Sequence, residues 1–159
     1  MKHIIGTFVV TAVLCLAITA RADGRYPERG YTNADINGGY GCGVSGALTG
    51  AKTAGIAQFH PEGNGQFSAS VFDVNIDGVG VCDYSLEKGT GTYDVSANGV
   101  GTAQATYSVQ PGSAQNCPAE FSSHIGFVCS GAAITASTCN IAILDPGFLL
   151  HGTCTKQNK

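Results

Sequence analysis

Through the body of this chain apolar residues recur at every second position in runs broken by glycine, and no stretch after Ala22 sustains the 3.6-residue repeat of a helix. The clearest run sets Ala119, Phe121, Ser123, Ile125, Phe127 and Cys129 on one face and Glu120, Ser122, His124, Gly126 and Val128 on the other. A second sets Ala103, Ala105, Tyr107 and Val109 against Thr102, Gln104, Thr106 and Ser108. Turn formers separate the runs at 61–65, 76–78, 87–89, 97–99, 111–113 and 145–147. Strands of roughly six to ten residues spaced this way predict an all-β chain. The expected architecture is a single antiparallel up-and-down β-barrel of about eight strands over residues 39–159, with a β-sandwich as the alternative.

Two hairpins can be put in register from sequence alone. A two-residue loop at Asn98-Gly99 would set Tyr93 opposite Gln104 and spoil both faces, because a one-residue slip flips every side chain. A three-residue loop, Ala97-Asn98-Gly99, with Gly99 left-handed, sets Tyr93 opposite Ala103 and keeps the faces. At the other end, a turn over Asp145–Phe148 places Ile143 across from Leu150 and Cys139 across from Cys154. Cys139–Cys154 is then a candidate bridge. The pair falls on a hydrogen-bonded site, where Cα atoms lie about 5.5 Å apart and the side chains diverge.

The first 22 residues read differently. Lys2 and His3 precede an uncharged, mostly apolar run from Ile4 to Ala20, and Ala20-Arg21-Ala22 offers small residues where a signal peptidase cuts. The expectation is a signal peptide over 1–22 and a secreted or periplasmic product with no membrane span after cleavage. An uncleaved anchor is the alternative, and the run is short for it, since about 20 residues are usual. Residues 23–38 lack periodicity and carry turn formers, which predicts a flexible or loosely docked N-terminal arm.

Cleavage would discard Cys15 and leave an even set: Cys42, Cys82, Cys117, Cys129, Cys139 and Cys154. In a short exported chain such a set reads as a disulfide framework, and six cysteines allow about 15 full pairings. No CxxC occurs, and the histidines are not spaced with cysteines as zinc ligands are, so no metal site is expected. Of eight basic residues Lys2 and Arg21 would be lost, leaving six against eleven acidic ones with no Lys/Arg cluster. That excludes the electrostatic footprint of a nucleic-acid-binding protein.

The stretch KGTGTYDVSANGVGTAQATYSV (88–109) resembles the Gly-Thr-Gly-x-Tyr hairpin of small exported bacterial β-barrels, and distantly the barrel shared by allene oxide cyclases and dirigent proteins. YGCGVSG (40–46) and FLLHGTC (148–154) fit its first and last strands. The resemblance implies a closed barrel whose apolar interior can accept a hydrophobic molecule. No residue matches an active site of that family.

Candidate chemistry is sparse. His60, His124 and His151 sit in no recognisable catalytic frame, and no G-x-S-x-G elbow or phosphate loop occurs. Asp73 interrupts Val71-Phe72-Asp73-Val74, where the apolar phase slips. A bulge there would turn Asp73 inward, raise its pKa and make it a site candidate. The candidate ligand-binding residues are therefore Phe72, Asp73, Tyr93, Tyr107, Phe121 and Phe127. No catalytic residue and no cofactor is assigned. The expected function is a structural or interaction protein of the cell envelope or extracellular space with a protein partner. The alternative is a binding module carrying a small hydrophobic ligand, and an enzyme rests on Asp73 alone.

Overall fold

Alternation becomes nine antiparallel strands in the computed structural model, which describes residues 30–131 and 136–157. The expected signal peptide and residues 23–29 of the arm lie outside the described residues. The strands are β1 (Tyr40–Leu48), β2 (Ala51–Pro61), β3 (Phe67–Ile76), β4 (Gly80–Leu86), β5 (Thr92–Val95), β6 (Val100–Val109), β7 (Glu120–Ser130), β8 (Thr138–Ile143) and β9 (His151–Lys156). Their order is β4-β3-β2-β1-β9-β8-β7-β6-β5. A further pairing of β4 with β6 (Tyr84 opposite Val109, Leu86 opposite Tyr107) closes eight of them into a barrel. Closure removes the free edges that a sandwich would keep.

Strand β5 lies outside that ring of eight and pairs with the first half of β6, Tyr93 opposite Ala103 as the three-residue loop requires. The Ser96 amide bonds the Val100 carbonyl at 2.9 Å, and Gly99 takes φ 81°, a conformation a side chain would resist. Main-chain bonds from Phe67 to Gly91 (3.1 Å) and from Tyr93 to Gly65 (2.8 Å) tie β5 to the start of β3. On β6, a side chain at Gly101 would collide with the Phe127 ring, its Cβ 2.3 Å from Cζ. The ring needs the space, so this strand position carries no side chain.

The core is the barrel interior, and the alternating burial of β6 and β7 matches the sequence pattern residue for residue from Ala103 to Tyr107 and from Ser123 to Cys129. One end, here the upper, carries the N-terminal segment, the 62–66 loop and the start of β1. The lower end carries the turns at 49–50 and 77–79 and the connections 110–119 and 144–150. Among the described residues no helix is long and apolar enough to cross a membrane.

The expected arm is, over its described residues, a docked cap. Tyr31, Asp35 and Ile36 are buried, and Asn33–Asp35 form one 3-10 turn. Asp35 accepts from the Thr32 amide and hydroxyl, both at 2.8 Å, and the Tyr31 amide donates to the Ala97 carbonyl at 2.9 Å. An aperiodic segment can pack well when its polar groups are satisfied locally and its few apolar side chains reach an open barrel end.

The cysteines form three bridges: Cys42–Cys154, Cys82–Cys117 and Cys129–Cys139. The register places Cys139 opposite Cys154, as the hairpin argument has it, but the candidate Cys139–Cys154 bond does not form. Four cysteines stand in one row across β1, β9, β8 and β7. Antiparallel pairs alternate between hydrogen-bonded and non-hydrogen-bonded sites. Bonds from Gln157 to Gly39 and from Leu144 to His124, both 2.8 Å, set the phase on the outer two interfaces. They make Cys42/Cys154 and Cys129/Cys139 non-hydrogen-bonded pairs, with Cα atoms 4.0 Å apart. The bond from Lys156 to Ser137 (2.8 Å) leaves Cys139/Cys154 on a hydrogen-bonded site, so the bridges form at the two ends of the row.

Asp73 is the clearest departure from expectation. The register shift falls at His60/Pro61, opposite Ala69 and Phe67, not at Val71–Phe72. The extra residue is therefore Ser68, and the phase changes early: Ser70, Phe72, Val74 and Ile76 point inward while Val71 and Asp73 point out. On the outer wall Asp73 is directly opposite Asp83 of β4 and Ile56 of β2. It is not an interior carboxylate and is withdrawn as a ligand-binding residue.

Candidate functional site

The inward side chains leave three cavities along the barrel interior that share lining residues. The upper one, about 440 Å³ counted to its mouth, is lined by Ile36 of the cap, Tyr40, Phe59, Tyr93, Phe127 and the bridged Cys139, among others. The central one is narrow, with room for about one water-sized atom, and includes Val44, Phe72, Tyr107, Phe121, Ser123 and Ile125 in its wall. The lower one, about 520 Å³, includes Phe72, Val74, Tyr84, Phe121, Phe148 and Leu150. Phe59, Ile125 and Ile141 are shared by the upper and central cavities, and Phe72 and Phe121 by the central and lower ones.

Five of the six sequence-derived candidates face this interior, but at two levels. Phe72, Tyr107 and Phe121 meet between the central and lower cavities. Phe121 is the hub, with ring centroids 4.8 Å from Tyr84, 5.1 Å from Tyr107, 6.0 Å from Phe72 and 6.2 Å from Phe148. Tyr93 and Phe127 belong to the upper cavity, where Tyr93 lies 5.2 Å from Phe67. Such offset and edge contacts stabilise aromatic pairs beyond simple burial.

The tyrosine hydroxyls divide the same way. At the top they are used by the cap and the loops beside it: Tyr40 donates to the carbonyl of Ala136, between β7 and β8, at 2.6 Å, and Tyr93 donates to the Ile36 carbonyl at 2.7 Å while accepting from the Gly63 amide at 2.9 Å. In the centre, the Tyr107 hydroxyl meets only that of Ser70, at 3.1 Å. Burial pushes the Tyr107 phenol up to about 12, partly offset by the Ser70 bond. Burial, with Tyr93 and Tyr31 nearby, pushes Tyr40 up to about 12 as well. Both stay neutral at physiological pH, so they serve as hydrogen-bonding groups and not as charges.

Buried polar side chains among the described residues are Asp35, Thr53, Ser70 and Ser123. Asp35 is held in the cap by Thr32, so the cavities offer hydroxyls and no base. Outside the barrel, His124 Nδ1 lies 2.6 Å from Asp145 Oδ1, and Asp145 Oδ2 accepts from the His124 amide at 2.7 Å. This pair, with His124 exposed and Asp145 half-buried, fastens the 144–150 connection to β7, and among the described residues no hydroxyl is hydrogen-bonded to its imidazole. His151 is exposed beside Ala142, and His60 is half-buried on β2. Among the described residues no group of His, Cys, Asp and Glu could hold a metal ion.

Sequence reasoning missed Ile36, Tyr40, Phe59, Phe148 and Leu150. Ile36 carries no periodic signal, and Phe148 and Leu150 flank the DPG turn, where alternation stops. Ser123 was visible as the one polar member of an inward series, which is the signal that marks it. Comparisons with protein-family models, with curated proteins and with solved structures give no match for this chain.

Proposed function

We propose that this chain is an exported β-barrel that binds a small, largely apolar molecule in its interior. The lower cavity carries the reading. Its wall is aromatic and aliphatic, as small-ligand sites usually are, and Thr49, Thr53 and Pro118 stand among its lining residues. The Cys82–Cys117 bridge pins the 110–119 connection to β4 and so holds Pro118 in place, which favours a preformed site. Export to an extracellular or periplasmic space rests on the N-terminal signal pattern and on three disulfides, which persist in oxidising compartments. The resemblance of residues 88–109 to barrels that accept hydrophobic molecules points the same way.

A second reading, a structural or interaction protein, is favoured by the outer wall. Ile56, Val71 and Val81 are exposed on the adjacent strands β2, β3 and β4, 62 % in the case of Ile56. The two readings separate by native mass spectrometry of the protein taken from its exported fraction. A reproducible added mass that leaves on denaturation supports the ligand-binding barrel. A clean mass with three bridges, and no uptake of an apolar fluorescent probe, overturns it in favour of the outer wall.

A further inference from the structure

Resting on that ligand-binding reading, we infer that the interior selects a neutral molecule with one hydrogen-bonding oxygen (an alcohol, ketone or ester on an apolar body) and that Ser123 holds that oxygen. Ser123 is 1 % exposed, and its Oγ has no hydrogen-bond partner among the described residues. Its strand neighbours on the inward face are Phe121 and Ile125, and Ala105 stands directly across from it on β6. Buried polar atoms are ordinarily satisfied, so an orphan in the wall of a cavity points to a partner brought from outside.

The Ser70–Tyr107 pair strengthens the case. Two hydroxyls carry two protons, and one bond between them uses one. One proton of the pair is therefore unspent, and with Ser70 as the donor it is that of Tyr107, which lines the same central cavity as Ser123. A ligand oxygen there would meet donors, and a ligand hydroxyl would also find the Ser123 lone pairs. Charge is a different matter. The buried polar residues of the barrel wall are Thr53, Ser70 and Ser123, none of them cationic, so an ionised carboxylate or phosphate would be desolvated without a counter-charge.

The test uses the disulfide-intact mature protein and four probes of equal chain length: an alkane, a primary alcohol, a methyl ester and a carboxylate. Each is titrated against an environment-sensitive apolar dye in the wild type and in Ser123→Ala, whose small apolar replacement removes only an unpartnered group. The expected result is alcohol and ester binding roughly five- to ten-fold tighter than the alkane, the carboxylate weakest at neutral pH, and loss of the oxygen preference in Ser123→Ala with alkane affinity unchanged. Equal binding of alkane and alcohol by the wild type, or a preference that survives in Ser123→Ala, overturns the role of Ser123 while leaving ligand binding standing. Failure of all four probes to bind overturns the ligand-binding reading itself, and this inference with it.

Discussion

Cys139 and Cys154 stand directly opposite each other on β8 and β9, and each is bonded to the neighbour on its other side. The arrangement staples β1 to β9, where the two ends of the barrel domain meet, and β7 to β8. In the chain-entropy account a bridge stabilises by the loop it closes: about 4–5 kcal/mol for a separation near 112 residues and about 2–3 kcal/mol for one near 10. Replacing Cys42 and Cys154 together by serine should lower the melting temperature more than replacing Cys129 and Cys139. Peptide mapping should recover no Cys139–Cys154 fragment; finding one would overturn the alternation argument for the row.

How far the sequence carries depends on the range of the interaction. Local registers were legible: Tyr93 opposite Ala103 and Cys139 opposite Cys154 follow from turn length and face matching, which act over a few residues. Partner choice was not, because the turn gives the phase between β8 and β9 alone, and only the assembled sheet brings Cys42 and Cys129 to the other sides of the pair. The Asp73 expectation failed for a related reason. The apolar alternation that slips at Val71–Phe72 runs back through Ala69, yet Ala69 and Val71 face out, since small and β-branched residues suit either wall of a barrel. Phe72, Tyr107 and Phe121 were legible as inward because large aromatic rings are costly to leave in water.

Ser123→Ala should behave unlike most core truncations. Removing a buried hydroxyl that has no partner abolishes its desolvation penalty and empties little volume. The expected outcome in urea denaturation of the ligand-free protein is a stability gain of about 1 kcal/mol. A loss of similar size would mean that the hydroxyl is satisfied in solution and is no anchor.

Asp73 offers a pH-dependent test on the outer wall. Burial, then the charge of Asp83 directly opposite, raises its pKa above the usual carboxylate value. A folded-state pKa above the unfolded one means that the native protein binds the proton more tightly. The charged pair is therefore a cost that is absent below the unfolded value and develops as pH rises through the folded one. Asp73→Asn should stabilise the protein at pH 7 by a few tenths of a kcal/mol, with the gain gone near pH 3. A gain that persists at low pH would assign it to something other than charge.

Tyr93 links the cap to the barrel through one oxygen. Its hydroxyl donates to the Ile36 carbonyl, lies 3.2 Å from that of Asn33 and accepts from the Gly63 amide, so it joins the 30–38 segment to the 62–66 loop above the upper cavity. Tyr93→Phe keeps the ring beside Phe67 and removes only those bonds, leaving a buried carbonyl and a half-buried amide without this partner. The expected cost is about 1–3 kcal/mol. Its location matters more than its size. Hydrogen exchange should accelerate at Tyr31 and Val95, whose amides bond Ala97 and the Asn33 side chain, while the protected amides of β7 exchange as before. Acceleration spread evenly over the barrel would instead mean that cap and barrel unfold as one unit, and that the upper cavity opens only when the whole fold does.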